Sequence, residues 1–318
     1  MTDLPMRTLG ATDLHTPPMI LGGNVFGWTI DRAESFRILD AFVDHGGTMI
    51  DTADVYSAWV DGHEGGESET IIGEWLRTSG KRDAVLIATK VGMLPGDGGE
   101  KLAPARIAAA AEASLKRLGT DRIDLYYAHQ DDSDTPQGDY LAAFARLIDA
   151  GKVRVLGASN FGAMRLKAAL DLATAEGLPR FHALQPEYNL VSRHKYEGEL
   201  QNLCVEHNIG VAPYYGLAAG FLTGKYRSEA DLGKSVRGGS MRDLLDGRGA
   251  AVLAAMDAVA AETGATLAQI ALAWLAAQEG VTAPIASATS VAQLEELVGA
   301  WRLDLSRDQL ERLTDAGV

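Results

Sequence analysis

Short apolar runs alternate with amphipathic segments along the whole chain. Most of the runs are continuous rather than alternating, as is typical of strands that are buried on both faces. The segments between them space their apolar residues as helices do, and several end at glycine. Eight such units predict a (β/α)8 (TIM) barrel that forms a single domain over residues 1–318. The apolar runs cover residues 18–23, 48–52, 84–90, 123–129, 153–160, 181–185, 210–215 and 281–287.

Two further segments belong to this prediction. Residues 7–19 are expected to form a β-hairpin that caps the bottom of the barrel. A long loop rich in Gly, Ser and Arg follows the seventh strand over residues 216–249, and two helices follow that loop. Long loops in compact domains usually have a function or are disordered. A doubly wound sheet is the alternative fold, but it favours a GxGxxG spacing that "LGGNVFG" lacks.

Composition narrows the class of protein. The 318 residues carry a formal charge of −14, which argues against a nucleic-acid partner because phosphates attract basic surfaces. The single cysteine, Cys204, excludes a disulfide within the chain and is interpreted as a small buried apolar residue. The N-terminus lacks a signal-peptide pattern, and no apolar run approaches the ~18 residues that span a bilayer. We therefore expect a cytoplasmic protein without a membrane partner.

Polar residues occur where the predicted strands end. Each has an ordinary explanation when taken alone, such as a helix cap, a solvated charge or a structural histidine. Together they indicate a site, because the strands of a (β/α)8 barrel present their C-terminal ends at one mouth, where catalysis occurs. These residues are Asp51, Lys90, His129, Ser159, Asn160, Gln185 and Tyr214.

Three of these side chains, together with Tyr56 in the loop after the second predicted strand, form a set that can protonate a carbonyl oxygen. A tyrosine hydroxyl with its ordinary pKa near ~10 is a poor acid at neutral pH. A nearby ammonium favours the phenolate, so Lys90 is expected to lower the pKa of Tyr56, with Asp51 holding the lysine. His129 can donate a hydrogen bond to the substrate oxygen. Because no side chain delivers hydride, this chemistry implies a nicotinamide cofactor.

The sequence resembles the aldo-keto reductase family, including its potassium-channel β-subunit-like branch. The resemblance rests on the ordered segments "IDTADVYS", "LIATKVG", "DLYYAHQDD", "GKVRVLGASNF", "LQPEYNL", "PYYGLAAGFLTGKY" and "SVAQLEEL", which together cover nearly the whole chain. It implies a (β/α)8 barrel that binds a nicotinamide dinucleotide in extended form and reduces aldehydes and ketones, or reverses that reaction. It also implies that Asp51, Tyr56, Lys90 and His129 form the catalytic tetrad, with Tyr56 as the proton donor.

The resemblance extends to a cofactor site. It implies that Ser159, Asn160 and Gln185 bind the nicotinamide carboxamide and that Tyr214 stacks on the nicotinamide ring. The loop expected to wrap the pyrophosphate includes Leu217, Gly220, Thr223, Gly224 and Lys225, with Arg237 as a weaker phosphate contact.

The sequence departs from the family pattern near the cofactor's 2′-phosphate. The segment from Ile285 to Ser290 offers Ser287 and Thr289 but no basic residue. Leu297 replaces an asparagine that commonly contacts adenine, whereas Gln293 and Glu296 keep their places. Because charge-assisted hydrogen bonds are about twice as strong as neutral ones, we expect NADPH use with weakened discrimination against NADH.

The sequence predicts less about the substrate pocket than about the cofactor site. Trp28 and Trp59 are expected to be pocket walls in an open site for aldehydes and small ketones. His63 and Glu64 are too few for a metal site, and none is expected. The protein is expected to be a monomer or a small homo-oligomer.

Two rival functions remain. The chain could be a cofactor-binding regulatory subunit with slow catalysis, as some relatives are. It could also be a barrel aldolase that forms a Schiff base through Lys90, which requires a neutral amine.

Overall fold

An antiparallel hairpin precedes the barrel. The computed structural model describes residues 4–234 and 238–317. Strands β1 (Arg7–Thr8) and β2 (His15–Thr16) pair with each other. Between them, the amide of Ala11 donates to the carbonyl of Asn208, and Leu9 and Leu14 are fully buried. The hairpin therefore plugs the N-terminal end of the barrel, as predicted.

Eight parallel strands form the barrel wall. Each of the first six pairs with the next along the chain, and the eighth pairs with the first. A parallel bridge between Val211 and Val281 and a 2.8 Å bond from the amide of Ile285 to the carbonyl of Pro213 join the seventh strand to the eighth segment. This arrangement confirms the (β/α)8 barrel over the doubly wound sheet. The strands are β3 (Ile20–Gly22), β4 (Met49–Asp51), β5 (Leu86–Val91), β6 (Ile123–Ala128), β7 (Val153–Ser159), β8 (Ala183–Gln185), β9 (Gly210–Val211) and β10 (Ile285–Ala286).

Helices surround the barrel and are close to the predicted segments. Left-handed glycines end α2 and α3 at Gly80 and Gly119, because glycine adopts a positive φ without steric cost. The helices are α1 (Arg32–Asp44), α2 (Glu67–Ser79), α3 (Pro104–Leu118), α4 (Gln137–Asp149), α5 (Ala163–Glu176), α6 (Glu199–Glu206), α7 (Arg248–Thr263), α8 (Leu267–Ala276), α9 (Val291–Val298) and α10 (Arg307–Ala316).

Side chains of the strands alternate between two cores. In β6, Leu125 and Tyr127 point into the barrel, where they pack with Met49 and Val155. Tyr126 of the same strand packs outward against the helices. The barrel is thus a filled core rather than a pore, and it holds the strand ends rigidly.

The long connection after β9 contains ordered turns. Where the structure describes this connection, three 3₁₀ helices lie in it, Ala218–Thr223, Glu229–Lys234 and Gly238–Leu244. Arg237 lies outside the described residues. Within the described parts of the chain, no single helix is long and apolar enough to cross a membrane; α7 and α8 pass that test only as a pair, bent by 98°.

Candidate active site

The strands deliver the predicted polar residues to one mouth of the barrel. Asp51, Ser159 and Gln185 are the last residues of β4, β7 and β8. Lys90 lies near the end of β5, and His129 directly follows β6. Parallel strands share one C-terminal edge, so five distant sequence segments meet in one place.

Lys90 is the centre of the site. Its ammonium is fully buried and donates to Asp51 Oδ2 at 2.7 Å, to the carbonyl of Thr52 at 2.8 Å and to Tyr56 Oη at 3.0 Å. Three acceptors match the three N–H donors of an ammonium. The lysine is therefore held charged against the tyrosine hydroxyl.

The charges around Tyr56 act in opposite directions. Burial raises the pKa of Tyr56, and the Asp51 carboxylate acts in the same direction, whereas the Lys90 ammonium lowers that pKa. The net shift is upward, so the expected lowering is present as a contribution but does not dominate. Burial would also lower the pKa of Lys90, but Asp51 and Tyr56 raise it above its ordinary value. Tyr56 is therefore a neutral phenol, and the Lys90 side chain next to it stays charged.

His129 is held neutral. Burial, followed by the nearby Lys90 charge, lowers the pKa of His129 well below its ordinary value. Its ring lies 6.0 Å from the Tyr56 ring, centroid to centroid. A neutral imidazole carries one N–H donor, so it can orient a carbonyl oxygen without adding charge.

The residues expected at the nicotinamide form one hydrogen-bonded network. Gln185 Nε2 donates to Asp51 Oδ1 at 2.8 Å, and Ser159 Oγ donates to the carbonyl of Gln185 at 2.9 Å. Asn160 Nδ2 donates to the carbonyl of His129 at 2.9 Å, and Tyr214 Oη donates to Asn160 Oδ1 at 2.8 Å. These contacts fix the orientations of the side chains and link them to the Lys90 cluster.

One cleft of about 970 Å³ connects the predicted residues. It runs from the aromatic residues above Tyr56, past Tyr214, to the segment after β10. Lys90 and Ser159 are buried and do not line it, and Gly224 faces Leu267 and Arg227 instead of the cleft. The predicted residues that line it are Trp28, Asp51, Tyr56, Trp59, His129, Asn160, Gln185, Tyr214, Leu217, Gly220, Thr223, Lys225, Ser287, Thr289, Gln293 and Glu296.

The cleft fits an extended dinucleotide. An aromatic ring, the side-chain amides of Asn160 and Gln185, and a glycine-containing turn with a lysine follow one another along it. A Cβ on Gly220, which has φ +99°, would come within 3.0 Å of Lys225 Nζ, so the lysine lies directly on the turn. Lys225 is the only Lys or Arg among the described residues that line the cleft.

The far end of the cleft is polar but not basic. Thr289 donates to Gln293 Oε1 through its amide and its hydroxyl, both at 2.9 Å. Ser287 Oγ donates to Asn24 Oδ1 at 2.6 Å. Glu296 and Leu297 complete this end.

Aromatic rings form the outer wall near Tyr56. Trp59 contacts both Tyr56 and Trp28 edge to face, with ring centroids 5.7 Å and 5.3 Å apart, and half of its surface is exposed. Met93 and Tyr215 extend this wall, and the sequence reasoning missed them. Among the described residues, no group of three or more His, Cys, Asp or Glu side chains could hold a metal ion.

A simple sequence signal could have found two missed residues. Asn24 and Met93 closely follow β3 and β5, as the predicted residues follow their strands. Tyr215 adjoins Tyr214, but its position depends on a left-handed backbone conformation (φ 56°) that the sequence does not predict.

The fold and the site define a barrel protein with a buried cluster of Lys90, Asp51 and Tyr56 beside a long cleft. The family model described as the aldo/keto reductase family matches residues 18–317. The chain belongs to the aldo/keto reductase family, and it is an oxidoreductase of the NAD(P)H-dependent, carbonyl-converting kind.

Three relatives illustrate the range of the family. A probable voltage-gated potassium channel subunit beta of Arabidopsis thaliana is 34% identical over 301 residues, covering 91% of this chain and 89% of that protein. An uncharacterized oxidoreductase, YrpG, of Bacillus subtilis is 34% identical over 315 residues, covering 96% and 94%. The aldo-keto reductase yakc [NADP(+)] of Schizosaccharomyces pombe is 31% identical over 322 residues, covering 98% and 88%.

Proposed function

We propose that the protein reversibly reduces aldehydes and ketones to alcohols, with Tyr56 as the general acid. The observation that carries this proposal is the position of the Lys90 ammonium, 2.7 Å from Asp51 and 3.0 Å from Tyr56 Oη. This contact stabilises the negative charge that develops on Tyr56 as its proton leaves. A nicotinamide cofactor, when bound, supplies the hydride.

Each residue has a distinct part in this reaction. Tyr56 gives its proton to the carbonyl oxygen while His129 donates a hydrogen bond to the same oxygen and fixes its direction. Asp51 keeps Lys90 charged and oriented. Ser159, Asn160 and Gln185 would hold the carboxamide, and Tyr214 would offer its ring to the nicotinamide face.

The cofactor is proposed to be NADPH, with weakened discrimination against NADH. The NADP(+) in the name of the fission yeast relative supports NADPH. The lack of a Lys or Arg among the described residues at the far end of the cleft supports the weak discrimination. A fluorescence titration tests this; equal or tighter binding of NADH contradicts the preference.

The outer wall suggests the kind of substrate. Trp28, Trp59, Met93 and Tyr215 surround the opening, and no cation lines it among the described residues. Uncharged aldehydes and small ketones therefore fit better than anionic ones, which would lose hydration without gaining a partner.

A regulatory subunit with slow catalysis is the second proposal. The relative named as a potassium channel subunit beta supports it. Lys90 argues against a Schiff-base aldolase, because Asp51 and Tyr56 raise its pKa and keep the amine charged.

A carbonyl panel distinguishes the two proposals. The purified protein is mixed with NADPH or NADH and a series of aldehydes and ketones, and cofactor consumption and alcohol formation are measured together. An enzyme forms one alcohol for each cofactor that it consumes, at about 1 s⁻¹ or faster. Cofactor binding without turnover on any carbonyl would favour the regulatory subunit.

A further inference from the structure

A second cluster of buried charges lies behind the loop that carries Tyr56. Asp54 and Glu69 are fully buried, and Arg106 is 6% exposed. Glu69 is well paired, since Thr89 Oγ1 donates to it at 2.5 Å and Arg117 Nε at 2.7 Å. Asp54 is poorly paired. Its Oδ2 lies 3.4 Å from Arg106 Nη2, and its Oδ1 has no partner within the described residues.

Arg106 joins two loops that wall the cleft. On α3, its guanidinium donates to the carbonyl of Leu94 at 3.0 Å and to that of Asp97 at 3.4 Å, both in the loop after β5. Its third contact is Asp54, in the loop after β4. A Cβ on Gly65 would lie 2.8 Å from both a methyl of Leu94 and the carbonyl of Asp54, so the loops pack directly together.

These two loops carry residues of the proposed reaction. Tyr56 and Trp59 follow Asp54 in the first loop, and Met93 precedes Leu94 in the second. All three line the cleft, while Arg106 does not. Whatever holds the loops together therefore sets the width of the pocket without touching the substrate.

We propose that Arg106 is a positioning residue and that the negative charge of Asp54 tightens its hold on both loops, so that substrate affinity depends on the charge of Asp54. The inference rests on the proposed function of the cleft. It assigns no part of the chemical step to either residue.

The surroundings of Asp54 place its charge change near neutral pH. Burial and the charge of Glu69 raise the pKa of Asp54 to about 7, against the lowering effects of Arg106 and Arg117. Tyr126, whose buried hydroxyl has no partner within the described residues, faces the same cluster, and its pKa is raised well above its ordinary value by burial and by Asp54. Above pH 7 Asp54 is charged and attracts Arg106; below pH 7 it is neutral and that attraction is lost.

Two other titratable groups belong to the same loop region. His63 shares a 2.9 Å hydrogen bond with Ser57 Oγ. Burial acts to raise the pKa of Glu67, but backbone amides of Ser57, Glu64 and Gly65 hold it below its ordinary value. The variant His63→Gln separates the effect of that histidine from the effect of Asp54.

The first test measures kcat and KM for a neutral aldehyde at pH 6 and pH 8. We expect the wild-type KM to rise about five- to tenfold at pH 6, as when a charge-assisted hydrogen bond is lost, with kcat unchanged. Asp54→Asn should have the high KM at both pH values, and His63→Gln should keep the wild-type dependence. Arg106→Met should raise KM at both, with partial recovery in Arg106→Lys.

The barrel's other end offers matched controls. Asp124, 1% exposed, accepts from Arg82 Nη2 at 2.8 Å near the start of β6, far from the cleft. Arg82→Met and Asp124→Asn break a comparable buried pair and should leave KM and its pH dependence unchanged. Equal effects of Arg82→Met and Arg106→Met on KM would overturn the proposal.

The second test does not need activity. Hydrogen exchange is compared between variant and wild type at the same pH, in residues 52–66 and 92–103. Arg106→Met should exchange faster in both loops, and Asp54→Asn should do so at pH 8 but match wild type at pH 6. Unchanged exchange in either loop overturns the inference even if no carbonyl is turned over, whereas absent turnover alone counts against the proposed function.

Discussion

At the scale of single residues, Lys90 controls the electrostatics of the site. It is fully buried, and its ammonium reaches one carboxylate, one carbonyl and one phenol. A buried charge is tolerated only where its partners replace the water that it has lost. Asp51 therefore has a structural role as well as a functional one, since it compensates the charge that acts on Tyr56.

Replacing Lys90 separates these two roles. Lys90→Met should reduce kcat by about 10²–10⁴-fold, because the Tyr56 proton becomes harder to remove. It should also destabilise the protein by about 3–5 kcal/mol, since the buried Asp51 carboxylate loses its counter-charge and keeps only the hydrogen bond from Gln185. Adding Asp51→Asn should restore stability but not turnover. Urea unfolding measures the stability of each variant, and steady-state kinetics measures its turnover. Full activity in Lys90→Met would contradict a role for Lys90 in proton transfer from Tyr56.

The pH dependence of kcat for reduction follows from Tyr56 and His129. Reduction needs the protonated phenol, whose pKa is raised by burial, so kcat should fall only as alkaline pH removes that proton. His129 is neutral throughout the neutral range, because burial and Lys90 lower its pKa. A kcat profile should be flat between about pH 6 and pH 8. An acid limb in that range that disappears in His129→Gln would be inconsistent with a neutral imidazole.

We expect cofactor preference to depend on the residue at position 289. Thr289 offers only neutral donors near the segment after β10. Thr289→Arg should increase NADPH affinity about tenfold with little change for NADH, because a charged hydrogen bond to the 2′-phosphate is added. Fluorescence titration measures the affinity for each cofactor. An equal increase in affinity for NADPH and NADH would show that Thr289 is not near that phosphate.

At the scale of elements, α2 and α3 support the Tyr56 loop from outside. They approach closely at Gly73, where a Cβ would lie 2.1 Å from the carbonyl of Arg117. The same approach brings Arg117 to Glu69. The small residue in α2 thus permits the buried charge cluster to form.

A pair of glycine substitutions tests this packing. Gly73→Ala should destabilise the protein by about 1–3 kcal/mol, because the helices must move apart. Gly138→Ala in α4 is the matched control: its Cβ would meet only ordinary contacts at 3.6 Å or more. It should stabilise by roughly 0.5–1 kcal/mol through helix propensity. Thermal unfolding of both variants tests this prediction. Equal changes in their stability would refute a close approach at Gly73.

The elements were more predictable from the sequence than the loops. Continuous apolar runs located the eight barrel strands, and terminal glycines located the ends of α2 and α3. The convergence of Asp51, Lys90 and His129 followed from the barrel alone. The net rise in the pKa of Tyr56 could not be predicted, because it depends on how deeply the loop after β4 is buried.

At the scale of the whole molecule, the two ends of the barrel have separate tasks. The hairpin seals one end with Leu9 and Leu14, and salt bridges around Asp124 lie near it. The other end carries the cleft and the charge clusters around Lys90 and Arg106. The filled core between them holds the strand ends that carry these charged residues in place.

The role proposed for Tyr56 is to donate the proton during carbonyl reduction. It is tested most directly by a single-turnover experiment, in which protein saturated with NADPH is mixed rapidly with an aldehyde. Tyr56→Phe should bind NADPH as wild type does but transfer hydride about 10²–10⁴-fold more slowly. The matched control is Tyr196→Phe, which removes a buried hydroxyl that has no partner in the described chain and should match wild type. Hydride transfer at the wild-type rate in Tyr56→Phe would contradict the account.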